Sequence, residues 1–265
     1  MPELEAVYSH LWAAHTDEFS QLDRSLRPRS WTFLFDVAGE SGLGPTSVVA
    51  DVGCGRGNHC VEIVKRFDCR ALGIDVVFPQ LRSALERDGS PRVEFIQGDI
   101  ERLPLQTASV DFVWCRDMLV HVRDLESGVR ECSRILRSLG KMLAWVTVET
   151  ELMEPREAEQ LYAPLGIEAN SMSQERLEAA FSHAGLVVLR VEMLGSELME
   201  FYEERDGRVS RELMRLARMR RMRERLLAEW GKIKYESVLA LYQWAVYLAL
   251  GKLKSGFYLL EKSRR

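Results

Sequence analysis

The amino-acid sequence predicts an α/β protein with a mostly parallel sheet and helices on both of its faces. From residue 47 to residue 194, short apolar segments typical of buried strands alternate with segments typical of helices. A glycine-rich turn follows the first of these strands, and an apolar segment near the C-terminus brings the predicted strands to seven. Strands that alternate with helices form parallel sheets, because the chain must cross back to the same edge each time.

Local patterns place the individual elements. Runs of Val, Ile, Leu and Ala bounded by turn residues predict strands, and apolar residues at spacings of three and four predict helices. The predicted strands are residues 47–52, 71–75, 93–96, 110–115, 141–146, 186–193 and 256–260. The predicted helices between them are residues 58–67, 79–87, 125–136 and 173–184.

Two helical regions are predicted outside this core. The apolar residues near the N-terminus fall on one helix face: Leu4, Val7, Tyr8, Leu11 and Trp12. The expected divisions are an N-terminal helical lid at 1–44, a core at 45–194, a helical cap at 195–252 inserted before the last strand, and that strand at 253–265.

Composition and charge limit the function classes. The chain has 265 residues and a formal net charge of −4, which argues against a general nucleic-acid binder because such binding depends on Lys and Arg. Five cysteines without a C-x-x-C pair argue against a disulfide framework and favour the reducing cytoplasm. The start lacks an apolar signal core, and the longest apolar run, residues 238–250, is shorter than the ~20 residues that span a bilayer. We expect a cytoplasmic protein without a membrane span.

The glycine-rich turn is the first functional feature. Gly53, Gly55 and Gly57 lie between a predicted strand and a predicted helix. Glycine permits a tight turn and a close approach of the backbone to a ligand, and the helix start offers free N–H groups to an anion. The spacing is G-x-G-x-G rather than the dinucleotide fingerprint G-x-G-x-x-G, so the turn alone is weak support for a binding site.

Two acidic residues strengthen this interpretation. Asp75 ends the second predicted strand and Asp99 follows the third. A carboxylate at the first position can accept hydrogen bonds from both hydroxyls of a ribose, and one at the second can meet an adenine amino group. Because carboxyl ends of parallel strands share one edge of a sheet, the turn and both carboxylates are expected to form one crevice.

Together these segments resemble the class I S-adenosylmethionine-dependent methyltransferases of the small-molecule type, which have a Rossmann-like fold. The resemblance covers residues 45–148 well and 171–194 loosely, and its motifs are specific for the cofactor, not for the acceptor. The segments that carry it are 51–57, Asp75, 98–104, 110–114 and 136–143.

The resemblance implies roles for individual residues. The cofactor would be S-adenosylmethionine, with S-adenosylhomocysteine as its product. Asp51, Gly53, Cys54, Gly55 and Gly57 would hold the methionine portion, Asp75 with Val76 the ribose, and Asp99 with Ile100 the adenine. Arg116 would border the sulfonium end, while Tyr8 and Trp12 are candidate lid contacts whose alternative is helix packing.

Catalysis by such a site rests mainly on orientation and exclusion of water, and a base is needed only for a hydroxyl or a protonated amine. Candidate bases are Asp117 and His121 after the fourth strand and Glu149 after the fifth, with packing or solvent exposure as the alternative for each. Tyr162 is placed in a loop beyond, and no spacing suggests a metal site.

The predicted cap carries two further patterns. Residues 235–250 are apolar nearly all round, which predicts a buried helix that completes the core, forms a homodimer interface or roofs an acceptor pocket. Five arginines share one helix face, which is either solvated, in contact with an anionic acceptor, or bound to RNA. They are Arg211, Arg215, Arg218, Arg221 and Arg225, with Leu213, Leu216, Ala217 and Leu227 roughly opposite.

The sequence thus predicts a methyltransferase for a small organic acceptor, anionic or aromatic or isoprenoid, with O-methylation slightly favoured over N- or C-methylation. The alternatives are an RNA or protein methyltransferase that uses the arginine face, and a non-catalytic cofactor-binding module. DNA is disfavoured, since methyltransferases of exocyclic base amines usually carry Asn/Asp-Pro-Pro-Tyr/Phe where this chain has the segment from Arg116 to Leu119.

Overall fold

The computed structural model describes residues 28–87 and 90–264, together with Leu22, and the structural statements below concern these residues. The sheet has seven strands in the order β3-β2-β1-β4-β5-β7-β6, in which β7 is antiparallel to both of its neighbours. The strands are β1 (Val48–Val52), β2 (Arg70–Asp75), β3 (Val93–Gln97), β4 (Val110–Arg116), β5 (Leu136–Glu149), β6 (Leu186–Leu194) and β7 (Leu253–Lys262). The predicted mostly parallel seven-stranded sheet is therefore confirmed.

Helices cover both faces of the sheet, as predicted. In the core they are α1 (Phe33–Glu40), α2 (Asn58–Phe67), α3 (Phe78–Arg87), α4 (Leu125–Ile135), α5 (Pro155–Leu165) and α6 (Gln174–His183). The buried residues of α4 and α6 form one hydrophobic cluster with the sheet, and those of α1 and α5 form another. The stacked rings of Phe35 and Trp114, 5.0 Å apart, belong to the second cluster.

The helical insertion before the last strand is present. It consists of α7 (Glu197–Asp206), α8 (Arg208–Arg221), α9 (Arg223–Trp230) and α10 (Lys232–Ala249). Residues of α7 and α10 join the second core cluster, while α8 to α10 also share a small cluster of Met219, Leu226 and Tyr235. This insertion is called the cap below.

Helix α10 is less buried than the sequence predicts. Leu241 is 58% exposed and Ile233 is 85% exposed, whereas Tyr235 and Ala240 are buried. Leu241 is exposed because it faces a cavity beneath the cap. The apolar pattern of α10 therefore serves two surfaces, the core cluster on one side and a cavity wall on the other.

Two elements differ from the predicted ones. Strand β5 begins at Leu136, five residues before its predicted start, and ends at Glu149, three residues past its predicted end. Its later part is extended because β7 pairs with it up to Glu149, where the hydroxyls of Thr147 and Ser255 lie 2.7 Å apart. Helix α5 was predicted as a loop. It begins with a capping box of Glu154 and Glu157, which satisfies two free amides at the helix start.

The N-terminal lid lies mostly outside the described residues, at 1–21 and 23–27. The described part of it, α1, packs against the sheet through four buried residues: Leu34, Phe35, Val37 and Ala38. Its C-terminal end lies beside β5, where Lys141 Nζ donates to the Ser41 carbonyl at 2.8 Å.

Candidate functional site

The glycine turn joins β1 to α2 in a conformation that residues with side chains adopt only under strain. Gly53, Gly55 and Gly57 have φ values of 78°, 53° and 72°. The Gly53 amide donates to the Ile74 carbonyl at 2.8 Å, which attaches the turn to the end of β2. A Cβ at Gly53 would meet the Met118 side chain at 2.7 Å, so no side chain fits between this turn and the segment after β4.

Asp75, the last residue of β2, directs its carboxylate to the turn and to a cavity. One carboxylate oxygen accepts the Gly55 amide and the other accepts the Val77 amide, each at 2.8 Å. An ionised carboxylate has about four lone-pair sites, so about two remain for other donors. Since Asp75 lines the cavity, these sites suit the two hydroxyls of a ribose.

That cavity lies at the carboxyl ends of β1 to β4 and has a volume of about 690 Å³. Its size falls within the range of about 300–1,000 Å³ that is common for ligand sites. Six of the residues that the sequence predicts for the cofactor line it: Gly53, Asp75, Val76, Asp99, Ile100 and Arg116. We call it the cofactor cavity.

Asp99 and Ile100 form the wall beyond β3. Asp99 Oδ1 accepts the Glu101 amide at 3.0 Å, which fixes the carboxylate at the start of a turn. Ile100 is only 6% exposed and presents apolar surface beside it. An apolar wall next to a carboxylate suits a flat ring that carries an amino donor.

Four predicted cofactor residues do not line this cavity: Asp51, Cys54, Gly55 and Gly57. Asp51 is 1% exposed, and its carboxylate accepts the Cys60 S–H at 3.2 Å. Burial raises the pKa of Asp51 to about 7. Its side chain thus lies beneath the turn and contacts α2. The predicted lid residues Tyr8 and Trp12 lie outside the described residues.

A second cavity, of about 530 Å³, lies beneath the cap. Its wall is mostly aromatic and aliphatic, and its polar groups come from the segment after β4, from β5 and β7, and from α8. The aromatic members of the wall are Trp31, Trp145, Tyr202, Tyr242 and Trp244. We call it the cap cavity, and its lining suits a small organic molecule.

The two cavities meet at three residues. Arg116, Asp117 and His121 line both of them. Asp117 has a φ of 55°, and its amide donates to the Trp145 carbonyl at 3.1 Å. The left-handed backbone of Asp117 ends β4 and changes the direction of the chain directly after the strand. The Asp117 side chain pairs with Arg116, with Oδ2 3.0 Å from Nη2. We call these three residues the junction.

The protonation of the junction residues follows from their contacts. His121 Nδ1 lies 2.9 Å from the Gly166 carbonyl oxygen. A carbonyl can only accept, so Nδ1 carries the proton, and in the neutral ring Nε2 is left as an acceptor. Desolvation in the cleft between the two cavities raises the pKa of the Asp117 carboxyl, against the lowering effect of Arg116 and although 47% of the side chain is exposed, which makes it a better proton acceptor than an ordinary aspartate.

Glu149, the third predicted base, is not brought together with Asp117 and His121. It accepts the Tyr162 hydroxyl at 2.9 Å and lines a separate surface cavity. Tyr162 itself is buried in α5, where the sequence predicted a loop. Burial, followed by the neighbouring Glu149, raises the pKa of the Tyr162 hydroxyl.

The predicted arginine face is solvated. Arg211, Arg215, Arg218, Arg221 and Arg225 are all exposed, and two of them form ion pairs within the cap. Leu213 and Ala217, predicted to lie opposite this face, are also exposed. The buried side of α8 is formed by Leu216, as predicted, and by Met219, which was not predicted.

Sequence reasoning missed four residues of the site. Arg208 and Glu212 of α8 line the cap cavity, and the Arg208 guanidinium lies 3.9 Å from the centre of the Tyr202 ring. Trp31 lines the same cavity, and His59 contacts Arg116. No sequence signal marks these residues, because the contacts form only when the cap and α1 pack on the sheet.

Two features are absent from the part of the chain that the structure describes, a cluster of metal-ligating side chains and a membrane-spanning helix. There, no group of three or more His, Cys, Asp or Glu side chains could hold a metal ion. Within the same ranges, no helix combines the length and apolar character needed to cross a membrane.

Comparisons with known proteins agree with the geometry. Residues 50–144 match the family model described as "Methyltransferase domain". A sterol 24-C-methyltransferase of Aspergillus fumigatus is 30% identical over 60% of this chain and 44% of its own length. An Escherichia coli ubiquinone biosynthesis O-methyltransferase is 33% identical over 52% of this chain and 56% of its own length. The aligned region thus spans about half of these relatives.

Solved structures extend the likeness to the whole fold. The cyclase SpnF superposes with a TM-score of 0.70, covering 91% of this chain and 86% of that one at 20% identity. Residues 50–144 therefore contain a methyltransferase domain, and the similarity to solved structures extends the same fold to most of the chain.

Proposed function

We propose that this protein is an enzyme that transfers a methyl group from S-adenosylmethionine to a small organic acceptor enclosed beneath the cap. The observation that carries this proposal is the junction, where Arg116, Asp117 and His121 line the cofactor cavity and the cap cavity at once. A molecule in each cavity would meet there. When bound, S-adenosylmethionine supplies a methyl group activated by its attachment to a positively charged sulfur.

The residues of the cofactor cavity fit this group. The two remaining lone-pair sites of Asp75 would accept the ribose hydroxyls, with Val76 beside them. Ile100 would pack on the adenine ring while Asp99 accepts from its amino group. The glycine turn would approach the methionine portion through its backbone, and Asp51 would support the turn from below.

The cap cavity and the junction supply what transfer requires. Its apolar wall would exclude water and orient the acceptor, which is the main contribution of a protein to such a displacement. His121 Nε2 would accept the proton that a hydroxyl acceptor loses, since Nδ1 is occupied by the Gly166 carbonyl. This free acceptor favours a hydroxyl oxygen as the methylated atom.

Calorimetry with S-adenosylhomocysteine tests whether the protein binds the cofactor, on which every version of the proposed function depends. S-adenosylhomocysteine should bind the native chain, and Asp75→Ala should weaken binding by at least about tenfold to a hundredfold, because even one hydrogen bond to a charged group contributes about 1.5–3 kcal/mol and two are lost. Asp36→Ala, which removes an exposed carboxylate on α1, is the matched control and should bind normally. Equal binding to Asp75→Ala and the native chain would refute the ribose assignment.

RNA methylation remains a second candidate because of the exposed arginine face. Arg218 and Arg221 are exposed, and no ion pair to either is found among residues 28–87 and 90–264. If RNA is the acceptor, its binding should fall steeply with salt and weaken further in Arg218→Glu. If RNA does not bind, or binds independently of salt, RNA is excluded as the acceptor and the small-molecule proposal stands.

Two remaining features bear on cellular context and activity. The five cysteines are free thiols, which fits a reducing compartment, and we infer a cytoplasmic location. The similarity to a cyclase also keeps a non-transferring role as an alternative. S-adenosylhomocysteine binding without methyl transfer to any cap-cavity ligand would favour that role.

A further inference from the structure

The guanidinium of Arg116 is held from three sides at the junction. Nη1 lies 2.9 Å from His59 Nε2, and Nη2 lies 3.0 Å from Asp117 Oδ2. The guanidinium also stacks over the Trp31 ring, 4.4 Å from its centre. Trp31 lines the cap cavity but not the cofactor cavity, so this stacking places the guanidinium on the acceptor side.

His59 holds this group without neutralising its charge. The ring is packed among Trp31, Phe35 and Trp114. Burial, followed by the charge of Arg116, lowers the pKa of His59 to about 4, so the imidazole is neutral near pH 7. Its two nitrogens face donors, Trp114 Nε1 at 3.3 Å and Arg116 Nη1 at 2.9 Å. A neutral ring accepts at only one nitrogen, so Trp114 and Arg116 compete for it. We assign the acceptor to the shorter, charge-assisted contact with Arg116, which leaves Nδ1–H facing Trp114 Nε1–H without a hydrogen bond.

Arg116 retains donors that the protein does not satisfy. A guanidinium has five N–H groups, and the contacts to His59 and Asp117 use two of them. Its Nε–H is buried and has no hydrogen-bond partner among the described residues. Nη1 and Nη2 each keep one further N–H, and Arg116 lines both cavities with 23% of its side chain exposed, so these two donors can bind an acceptor from a ligand.

We propose that Arg116 is the binding site for an acidic oxygen of the methyl acceptor, and that His59 is the residue that positions it. The acceptor is accordingly a molecule whose oxygen ionises easily, such as a carboxylic acid, an acidic phenol or an enol. This inference rests on the proposed function, because it needs the cap cavity to hold the acceptor.

An oxyanion at the junction would meet two positive groups, the guanidinium and the sulfonium, and one negative group, the Asp117 carboxylate 3.0 Å from Arg116 Nη2. A guanidinium beside a sulfonium is repulsive, and an oxyanion between them is attracted to both. A lone pair of that oxygen forms the new bond to the methyl carbon, and the electron pair of the broken carbon–sulfur bond stays on sulfur. The sulfonium charge and the oxyanion charge are both lost, so no further reagent is needed. If the oxygen arrives protonated, the proton goes to His121 Nε2.

The experiment uses three probes with one phenylbutyl tail and different ends. Calorimetry measures phenylbutyrate, phenylbutanol and phenylbutylamine binding to the full chain saturated with S-adenosylhomocysteine. We expect the carboxylate to bind at least about tenfold more tightly than the amine, which corresponds to about 1.4 kcal/mol. Arg116→Gln should abolish this preference, while Arg218→Gln, which removes an exposed charge on α8, should keep it.

The positioning role of His59 is tested by the preference for the carboxylate probe, a quantity that a merely structural role of His59 would not change. His59→Phe fills the aromatic pocket and removes the acceptor, so it should reduce the carboxylate preference at unchanged S-adenosylhomocysteine affinity. His59→Gln, whose amide oxygen can accept from Arg116, should restore much of it. Thermal unfolding of both variants checks that the fold is intact.

The contradicting outcomes are separable. If S-adenosylhomocysteine binds but phenylbutyrate does not bind at millimolar concentration, or binds no better than phenylbutylamine, the assignment of Arg116 is overturned. Retention of the preference in Arg116→Gln overturns it as well, and equal preferences in His59→Phe and His59→Gln overturn the role of His59. Failure of S-adenosylhomocysteine itself to bind overturns the proposed function, and this inference with it.

Discussion

Replacing Asp51 by Asn should change how the stability of the protein depends on pH. Asp51 is 1% exposed, and burial raises the pKa of its carboxyl from 3.8 to about 7. Because the folded protein holds this proton more tightly than the unfolded chain, the proton stabilises the fold at low pH. That stabilisation is lost as the pH rises through the window between the two pKa values.

The magnitude follows from the shift. About 3 pKa units at about 1.4 kcal/mol each correspond to a total loss of about 4 kcal/mol across the window. Between about pH 5 and about pH 8, linkage gives a loss of about 2.5 kcal/mol from this one group. Asparagine has no titrating proton, and its oxygen can still accept the Cys60 S–H, so the variant should lack this loss.

Urea unfolding followed by circular dichroism measures the effect. The free energy of unfolding is determined at about pH 5 and about pH 8 for the native chain and for Asp51→Asn, without ligand. Other titrating groups, such as Asp117, contribute to both chains and cancel in the difference. Asp36→Asn, an exposed position with the same charge change, should behave like the native chain. If Asp51→Asn loses as much stability as the native chain, Asp51 does not titrate in this window.

Three further changes test other contacts. Gly57→Ala should lower the free energy of unfolding by about 1–3 kcal/mol in urea, because φ is 72° and an added Cβ would collide with the Phe95 ring. Tyr162→Phe removes the hydroxyl that donates to Glu149 at 2.9 Å, and should cost about 1 kcal/mol in the same assay at neutral pH. Trp244→Ala removes a wall of the cap cavity, and should weaken phenylbutanol binding in calorimetry at unchanged S-adenosylhomocysteine affinity. An unchanged unfolding midpoint for Gly57→Ala or Tyr162→Phe, or parallel loss of both ligands in Trp244→Ala, contradicts the respective contact.

The sheet and the cofactor cavity were predictable because their signals are local. A buried strand, a glycine turn and a helix start together occupy about a dozen consecutive residues. Asp75 is the polar residue that ends the apolar run of β2, so its place at a strand end can be read from the sequence. Parallel strands then bring such ends to one edge without further information. Gly53, Asp75 and Ile100 consequently reach one cavity, as the sequence predicts.

The side-chain directions within that region were not predictable. Val52 and Gly53 line the cavity but Asp51 does not, because adjacent residues of a strand point to opposite sides and Gly53 already belongs to the turn that follows β1. The sequence analysis places Tyr162 of α5 in a loop, because the capping box of this helix begins with Glu154 rather than with the usual Ser or Thr, and the segment contains Pro155 and Pro164. A proline in the first turn of a helix is compatible with it, because that amide lacks a partner in any case.

The topology explains why the acceptor site resisted prediction while the cofactor site did not. Strand β7 lies between β5 and β6, so the cap inserted before it begins at the end of β6 and returns beside the end of β5. Both points are at the edge where β4 also ends, and the cap therefore closes over the junction. The floor of the acceptor cavity comes from the sheet, but its roof comes from helices whose packing depends on contacts more than forty residues apart, such as the hydrogen bond from Ser237 to the Pro164 carbonyl at 2.9 Å. In this fold, changes to the cap should therefore alter which acceptor binds without altering cofactor affinity, whereas changes at the junction affect both.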